Sequence, residues 1–258
     1  MTIALDGSAT GEFDASSGSV TLTTVNSADE IVVSVQIAGA ATVSSVTSSQ
    51  VAFTQRTRKT NSTSLGLETW YGGWSASGSL VITVALSTSA AFTVEAVGIS
   101  GLPQGAVWDA NASLPKSATG SSTAPNTGSG STTTTVTFLL ASVAAVSGAT
   151  QNITTQNNVF GSAATARFKN DTGLTAADVF GGLQYRVSIT AQSNKASSAV
   201  LALSASWAIL EDAVAGYTAT PPPPPPPSTT VQAAEFAQFP DGVGTATSTL
   251  DFPPGQGY

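Results

Sequence analysis

The chain has 258 residues, of which only 9% are charged, with eight Lys and Arg, fifteen Asp and Glu, no His and no Cys. Without histidine and cysteine it lacks the commonest general base, the commonest metal ligand, any thiol nucleophile and any disulfide. The net charge of −7 argues against nucleic acid as a partner, since phosphate binding needs clustered Lys and Arg.

The opening, Met1 to Phe13, has neither a basic nor an apolar leader region, so no signal peptide is expected. Residues 1–15 read as an N-terminal arm or edge strand. No apolar run approaches the roughly 20 residues of a membrane span, and no membrane insertion is expected. Period-two alternation, the mark of a strand, then recurs. Val20, Leu22 and Thr24 alternate first. Ile31, Val33, Val35 and Ile37 line one face of the next strand, with Ser34 and Gln36 on the other. Val51 and Phe53 begin another, and Leu65, Leu67 and Thr69 lead into Trp70. Leu80, Ile82, Val84 and Leu86 form the cleanest run; Phe92, Val94 and Ala96 follow, and Gly98 breaks the phase as a bulge would.

A stretch of Pro, Gly, Asn, Ser and Thr follows, read as a long crossover loop at about 101–132 that carries the chain from one sheet to another. Strands resume with Val136, Phe138 and Leu140, then Tyr185, Val187 and Ile189. The last run, Leu201 to Ile209, is apolar on both faces, as a central strand would be. The one helical expectation is a turn at Thr175 to Phe180, capped by Thr175. The body is all-β.

Seven prolines, Pro221 to Pro227, then stop any ladder, because proline lacks the N–H and fixes φ. Such a run is a stiff polyproline II spacer of roughly 20 Å. The organisation read from the chain is an arm or edge strand at 1–15, a β-sandwich at 16–214, a polyproline spacer at 215–227 and an extended tail at 228–258. Beyond Leu210 lie Glu211, Asp212, Glu235, Asp241 and Asp251 and no basic residue. The tail also carries Phe236, Phe239, Phe252 and Tyr258, anchors spaced as in an assembly arm that orders on binding.

The order of strand-sized words carries a resemblance. Gly18–Val20 gives G-S-V, Ile31–Val35 I-V-V-S-V, Val43–Thr47 V-S-S-V-T and Val51–Thr54 V-A-F-T. Glu68–Tyr71 gives E-T-W-Y, Leu80–Val84 L-V-I-T-V, Val97–Leu102 V-G-I-S-G-L and Ser206–Leu210 S-W-A-I-L. Over about residues 16–212 this resembles the jelly-roll β-sandwich repeat of bacterial extracellular and phage virion proteins. The resemblance implies one jelly-roll sandwich rather than two domains and brings no catalytic motif. The chain departs from that pattern in its long crossover, its proline spacer and its tail.

Catalytic chemistry finds little footing. Asp29–Glu30 and Glu211–Asp212 are adjacent carboxylates, which in strands point to opposite faces and read as solvated strand ends. Asp109 with Asn111, and Asn170 with Asp171, are the best short calcium patterns, though Asx turns explain both more simply. No catalytic residue, metal or cofactor is therefore expected. Recognition has better candidates. Trp70, Tyr71 and Trp74 cluster around Gly72–Gly73, and Trp108 stands alone in the crossover; tryptophan and tyrosine suit protein interfaces or sugar rings. Gly72–Gly73 reads as a hairpin turn. Arg56, Arg58 and Lys59 form the one basic run, read as a solvated strand end or loop or, alternatively, as a docking patch for the acidic tail of a neighbouring subunit. The expectation is a non-enzymatic structural protein of a phage-like virion, a capsid decoration or surface protein made without a signal peptide. Its partners would be its own copies, as a homo-oligomer, and other particle subunits, tethered by the arm. The alternative is a carbohydrate-binding or adhesive sandwich that takes a host glycan, as in a tail or fibre module.

Overall fold

The computed structural model describes residues 2–27, 29–62, 64–102, 108–146, 158–171 (backbone only for 166–171) and 179–215. The chain divides into a compact unit Met1–Ala219 and a second unit Thr220–Tyr258. The proline spacer and the anchors Phe236, Phe239, Phe252 and Tyr258 lie outside the described residues. The described residues contain strands and no helix. Of the expected helical turn, Thr175 to Asp178 lie outside the described residues; Val179 and Phe180 open a strand, where a β-branched residue and an aromatic suit a pleated surface.

The strands are β1 Ala4–Thr24, β2 Asp29–Ala38, β3 Val43–Thr47, β4 Thr54–Asn61, β5 Leu65–Trp74 and β6 Gly78–Ser100, followed by β7 Lys116–Ser122 and β8 Thr137–Val146. The short β9 Asn158–Val159 and β10 Ser162–Ala163 precede β11 Ala166–Asp171, β12 Val179–Ser188 and β13 Ala205–Ala215. All pairings are antiparallel. One sheet runs β1-β6-β2-β5-β4, with β3 also on β6; the other runs β11-β12-β8-β13-β7. The two stack face to face, with β12 over β6 and β2, β8 over β2 and β5, and β13 over β5 and β4. β6 ends in the first sheet at Ser100, and Lys116–Ser122, within the stretch expected as a loop, is a strand, β7, the edge partner of β13 in the second sheet.

Two long strands shape the first sheet. β1 and β6 pair over almost their full length, but Ala15 faces Ala90 while Ser17 faces Ala85. One residue on β1 thus opposes four on β6, and both strands bend there. The bend brings Val20, Leu22, Leu80, Ile82 and Val84 into one buried cluster with Ile31, Val33, Val35, Ile37, Phe92 and Val94. A second irregularity lies between Leu5 and Gly7, opposite Gly98 and Ile99. The bulge expected at Gly98 is therefore carried by its partner strand, at Asp6. Gly98 stays bare because a Cβ there would come within 2.7 Å of Thr24 Cγ2.

The space between the sheets is layered. Val32, Val97, Ile99, Phe138, Leu140 and Leu183 cluster at one end; Leu65, Leu67, Ala144, Val179 and Leu210 cluster at the other. Between them runs a polar chain. Ser34 Oγ donates to Ser142 Oγ at 3.0 Å, Gln36 Nε2 to Ser34 Oγ at 2.7 Å, and Thr93 Oγ1 to Gln36 Oε1 at 2.7 Å. The polar face of β2 is thus a sheet-to-sheet interface, and every residue of β2 is buried. The outer face of the second sheet is covered by irregular chain. Thr127 and Gly130 bond to Ser197 and Lys195, and Leu201 bonds to Thr123. Under this cover lie Phe160, Val143, Trp207 and Ile209.

Candidate functional site

β5 distributes its aromatics by alternation. Trp70 and Trp74 turn to the cluster inside the bent first sheet, and Tyr71 turns to the space between the sheets. Gly72 and Gly73 are not a turn: they pair with Ile31 and Glu30 of β2. Gly72 is bare because a Cβ would sit 2.6 Å from the Ala52 carbonyl oxygen. Trp74 is 2% exposed, and its Nε1 donates to Gln50 Oε1 at 3.0 Å. Its ring offers no free face to a sugar. Trp70 is half-buried, and its Nε1 donates to Glu68 Oε2 at 3.3 Å.

Three of the expected residues do converge. Tyr71 and Trp108 meet edge to face, with ring centroids 5.4 Å apart, and the Arg56 guanidinium lies 4.7 Å from the Trp108 centroid. Arg56 Nε donates to Asp212 Oδ2 at 2.8 Å. The cluster joins β4 and β5 of one sheet to β13 of the other, with Trp108 bridging Val214. Asp212 is buried, and that burial holds its carboxyl above its ordinary range despite the facing guanidinium. Arg58 Nε lies 3.5 Å from Glu68 Oε1. Both arginines of the basic run thus already hold acids of the body, while Lys59 is half-buried between them and the end of β4.

The carboxylates are where the sequence reading departs most from the structure. Asp29, Glu30, Glu211 and Asp212, read as solvated strand ends, are all buried, because each strand continues under a second layer. The two members of the Glu211–Asp212 pair do face opposite ways: Asp212 meets Arg56, and Glu211 Oε2 accepts from Ser197 N at 2.7 Å in the outer cover. Burial pushes Glu211 up to about 7, against hydrogen bonds from Ser197 and Thr127 and the charge of Lys116. Glu95, beside the polar chain between the sheets, is fully buried and is pushed up to about 8, with Gln36 and Thr93 opposing. Burial likewise pushes Asp29 up to about 7, reinforced by the facing Asp6 carboxylate.

Asp109 behaves oppositely. Burial opposes its ionisation, but the amides of Thr133, Thr134 and Asn111 outweigh it and lower its value. Its oxygens accept from Thr133 N at 2.8 and 3.0 Å, Thr134 N at 2.7 Å and Asn111 N at 3.0 Å. Asn111 Oδ1 in turn accepts from Ser113 N and Oγ. These are Asx turns, whose N–H donors point at the oxygens a cation would need. For Asn170 and Asp171 only the backbone is described, as the last residues of β11. Among the described residues no group of three or more acidic side chains is gathered as a metal cluster.

Comparison with protein-family models, curated proteins and solved structures finds no match for this chain.

Proposed function

We propose that this chain is a non-enzymatic structural protein of a phage-like particle, its body a jelly-roll sandwich on the particle surface and its C-terminal arm a tether to neighbouring subunits. The observation that carries this reading is the anchoring of the strand that feeds the spacer. β13 is an inner strand, paired with β8 over Ser206–Ala215 and with β7 over Ala205–Glu211; past Glu211 its second side is held by the Trp108 bridge to Val214 and the Asp109 N bond to Ala213 O. It is pinned further by the Arg56–Asp212 pair. A load on the arm is thus delivered to a strand held on both sides, which suits a tether better than a free end. The weakly charged, small-residue body and the acidic, aromatic tail support the same division of labour.

Truncation after Thr220 tests it. The shortened chain keeps every described strand, so its far-ultraviolet circular dichroism per residue of body should match the full chain. By analytical ultracentrifugation the full chain is expected to assemble, and the truncated one to sediment as a monomer and to be lost from the particle. Normal assembly and incorporation without the arm would sink the reading.

A further inference from the structure

The bulge at Asp6 does more than bend β1. With the ladder register slipping between Leu5 and Gly7, Asp6 turns its carboxylate to the β1–β2 turn, where Oδ2 accepts from Val25 N at 3.2 Å and Asn26 N at 2.7 Å. Gly7 permits this close approach: it has φ +154°, and any Cβ there would collide with the Thr23 carbonyl. The first residue of β2, Asp29, is 1% exposed, and neither of its carboxylate oxygens meets a hydrogen-bond partner. The groups that face it are the Asp6 carboxylate and the Thr24 hydroxyl. On the β6 side it meets bare backbone, since a Cβ on Gly98 would lie 3.3 Å from Asp29 Oδ2. Thr24 Oγ1 in turn lies 3.4 Å from the Asn26 carbonyl oxygen.

Two carboxylates turned toward each other, that of Asp29 buried and that of Asp6 at the partly exposed turn, with none of the facing groups basic, leave the site short of positive charge. A buried carboxylate without a partner is costly. We propose that Asp6 and Asp29 bind a divalent hard cation, Ca2+, in the β1–β2 turn. The oxygens on hand are the Asp29 carboxylate, Asp6 Oδ1, which neither turn amide engages, the Thr24 hydroxyl and the Asn26 carbonyl, with water for the rest. Ca2+ accepts six to eight such ligands in adaptable geometry, whereas Mg2+ demands a regular octahedron. A cavity of about 410 Å3 opens beside the turn, lined by Thr2, Ala4, Asn26, Ser27, Ser100 and Gly101. It gives water and ion a route to Asn26. With only two charged ligands the affinity belongs at the weak end, roughly 10⁻⁴ to 10⁻³ M. The bound ion clamps the start of β1 to the start of β2.

The test is a Ca2+ titration of the full chain after treatment with chelator, at pH 7.5 and constant ionic strength. At ten times the dissociation constant, Tm is expected to rise by about 3 to 6 °C, with a much smaller rise in Mg2+. The rise should vanish in Asp29→Asn and in Asp6→Asn and persist in Glu12→Gln, which removes an exposed acid of the same strand. Isothermal titration calorimetry of the wild-type chain should give one Ca2+ per molecule, and Asp6→Asn should abolish it; this decides the matter if Asp29→Asn does not fold. A wild-type Tm indifferent to Ca2+, or an equal rise in Asp29→Asn or Asp6→Asn, overturns the site and leaves the two carboxyls sharing a proton.

Discussion

Asp109 shows how one carboxylate can replace a length of secondary structure. The crossover is long and poor in apolar residues, yet Asp109 sits near its start and accepts amides from Asn111 and, at its far end, Thr133 and Thr134. Its own amide donates to Ala213 O at 2.9 Å. Hydrogen bonds to a charged group contribute about 1.5–3 kcal/mol each, and a buried donor left unpaired costs about as much. Asp109→Ala is therefore expected to destabilise by roughly 3 kcal/mol in urea unfolding, and Asp109→Asn by less, because an amide oxygen can still accept. Equal stability of Asp109→Ala and wild type would remove the staple from the account. At this scale the sequence was partly legible. Asp109 and Asn111 read as Asx-turn residues from their spacing alone, but the partners at Thr133 and Thr134 lie more than twenty residues away and leave no local signal.

At the level of strands, period two located most of β2, β5 and β6 and the first halves of β8 and β13. It could not say what covers each face. Ser34 and Gln36 are polar, yet they are buried because Ser142 and Gly181 of the other sheet close over them. Gly181 belongs to that joint. A Cβ on it would meet Gln36 Oε1 at 2.6 Å and Glu95 Oε1 at 2.7 Å and would collide with the Thr93 hydroxyl. Gly181→Ala should push β12 off β2 and β6 and cost about 1–3 kcal/mol, the range for overpacked interiors. The check is thermal unfolding together with faster exchange of the β12 amides. A neutral Gly181→Ala would mean the sheets meet less tightly than these distances require. Val51, Phe53, Leu201 and Leu203 mark the reverse failure: apolar alternation placed them in strands, while the structure has them in covering chain around β3, β4 and β13.

At the scale of the whole molecule, the described body buries several carboxyl groups, and this sets an unusual pH dependence. Glu95 and Glu211 stand at about 8 and about 7 when folded, against an ordinary 4.5. Between about pH 4.5 and 8 the folded chain therefore holds protons that the unfolded chain has released, so stability falls as pH rises through that window. Asp109, lowered below 3.8, acts on the other side: its contribution is present above its ordinary value and is lost as pH falls through its lower folded value. Maximum stability is expected near pH 4–5, with Tm by calorimetry lower at pH 8 than at pH 5. Glu95→Gln, which keeps the shape and removes the titration, should flatten that slope. A Tm that rises from pH 5 to pH 8 would contradict the burial of these groups.

Composition and alternation by themselves determined that the body is all-β, that seven consecutive prolines cannot join a ladder, and that Cys and His chemistry is absent. These follow from local properties: the period of the pleat, the missing N–H of proline, the residue types present. Only the tertiary structure decided which polar residues are inside. Asp29, Glu95, Glu211 and Asp212 carry the same carboxyl group whether solvated or buried, and burial is conferred by chain more than a hundred residues away in some cases, as Arg56 is from Asp212. The pairing of Tyr71 with Trp108 and the meeting of Asp6 with Asp29 arise in the same way, from long-range register between strands that no window of sequence contains.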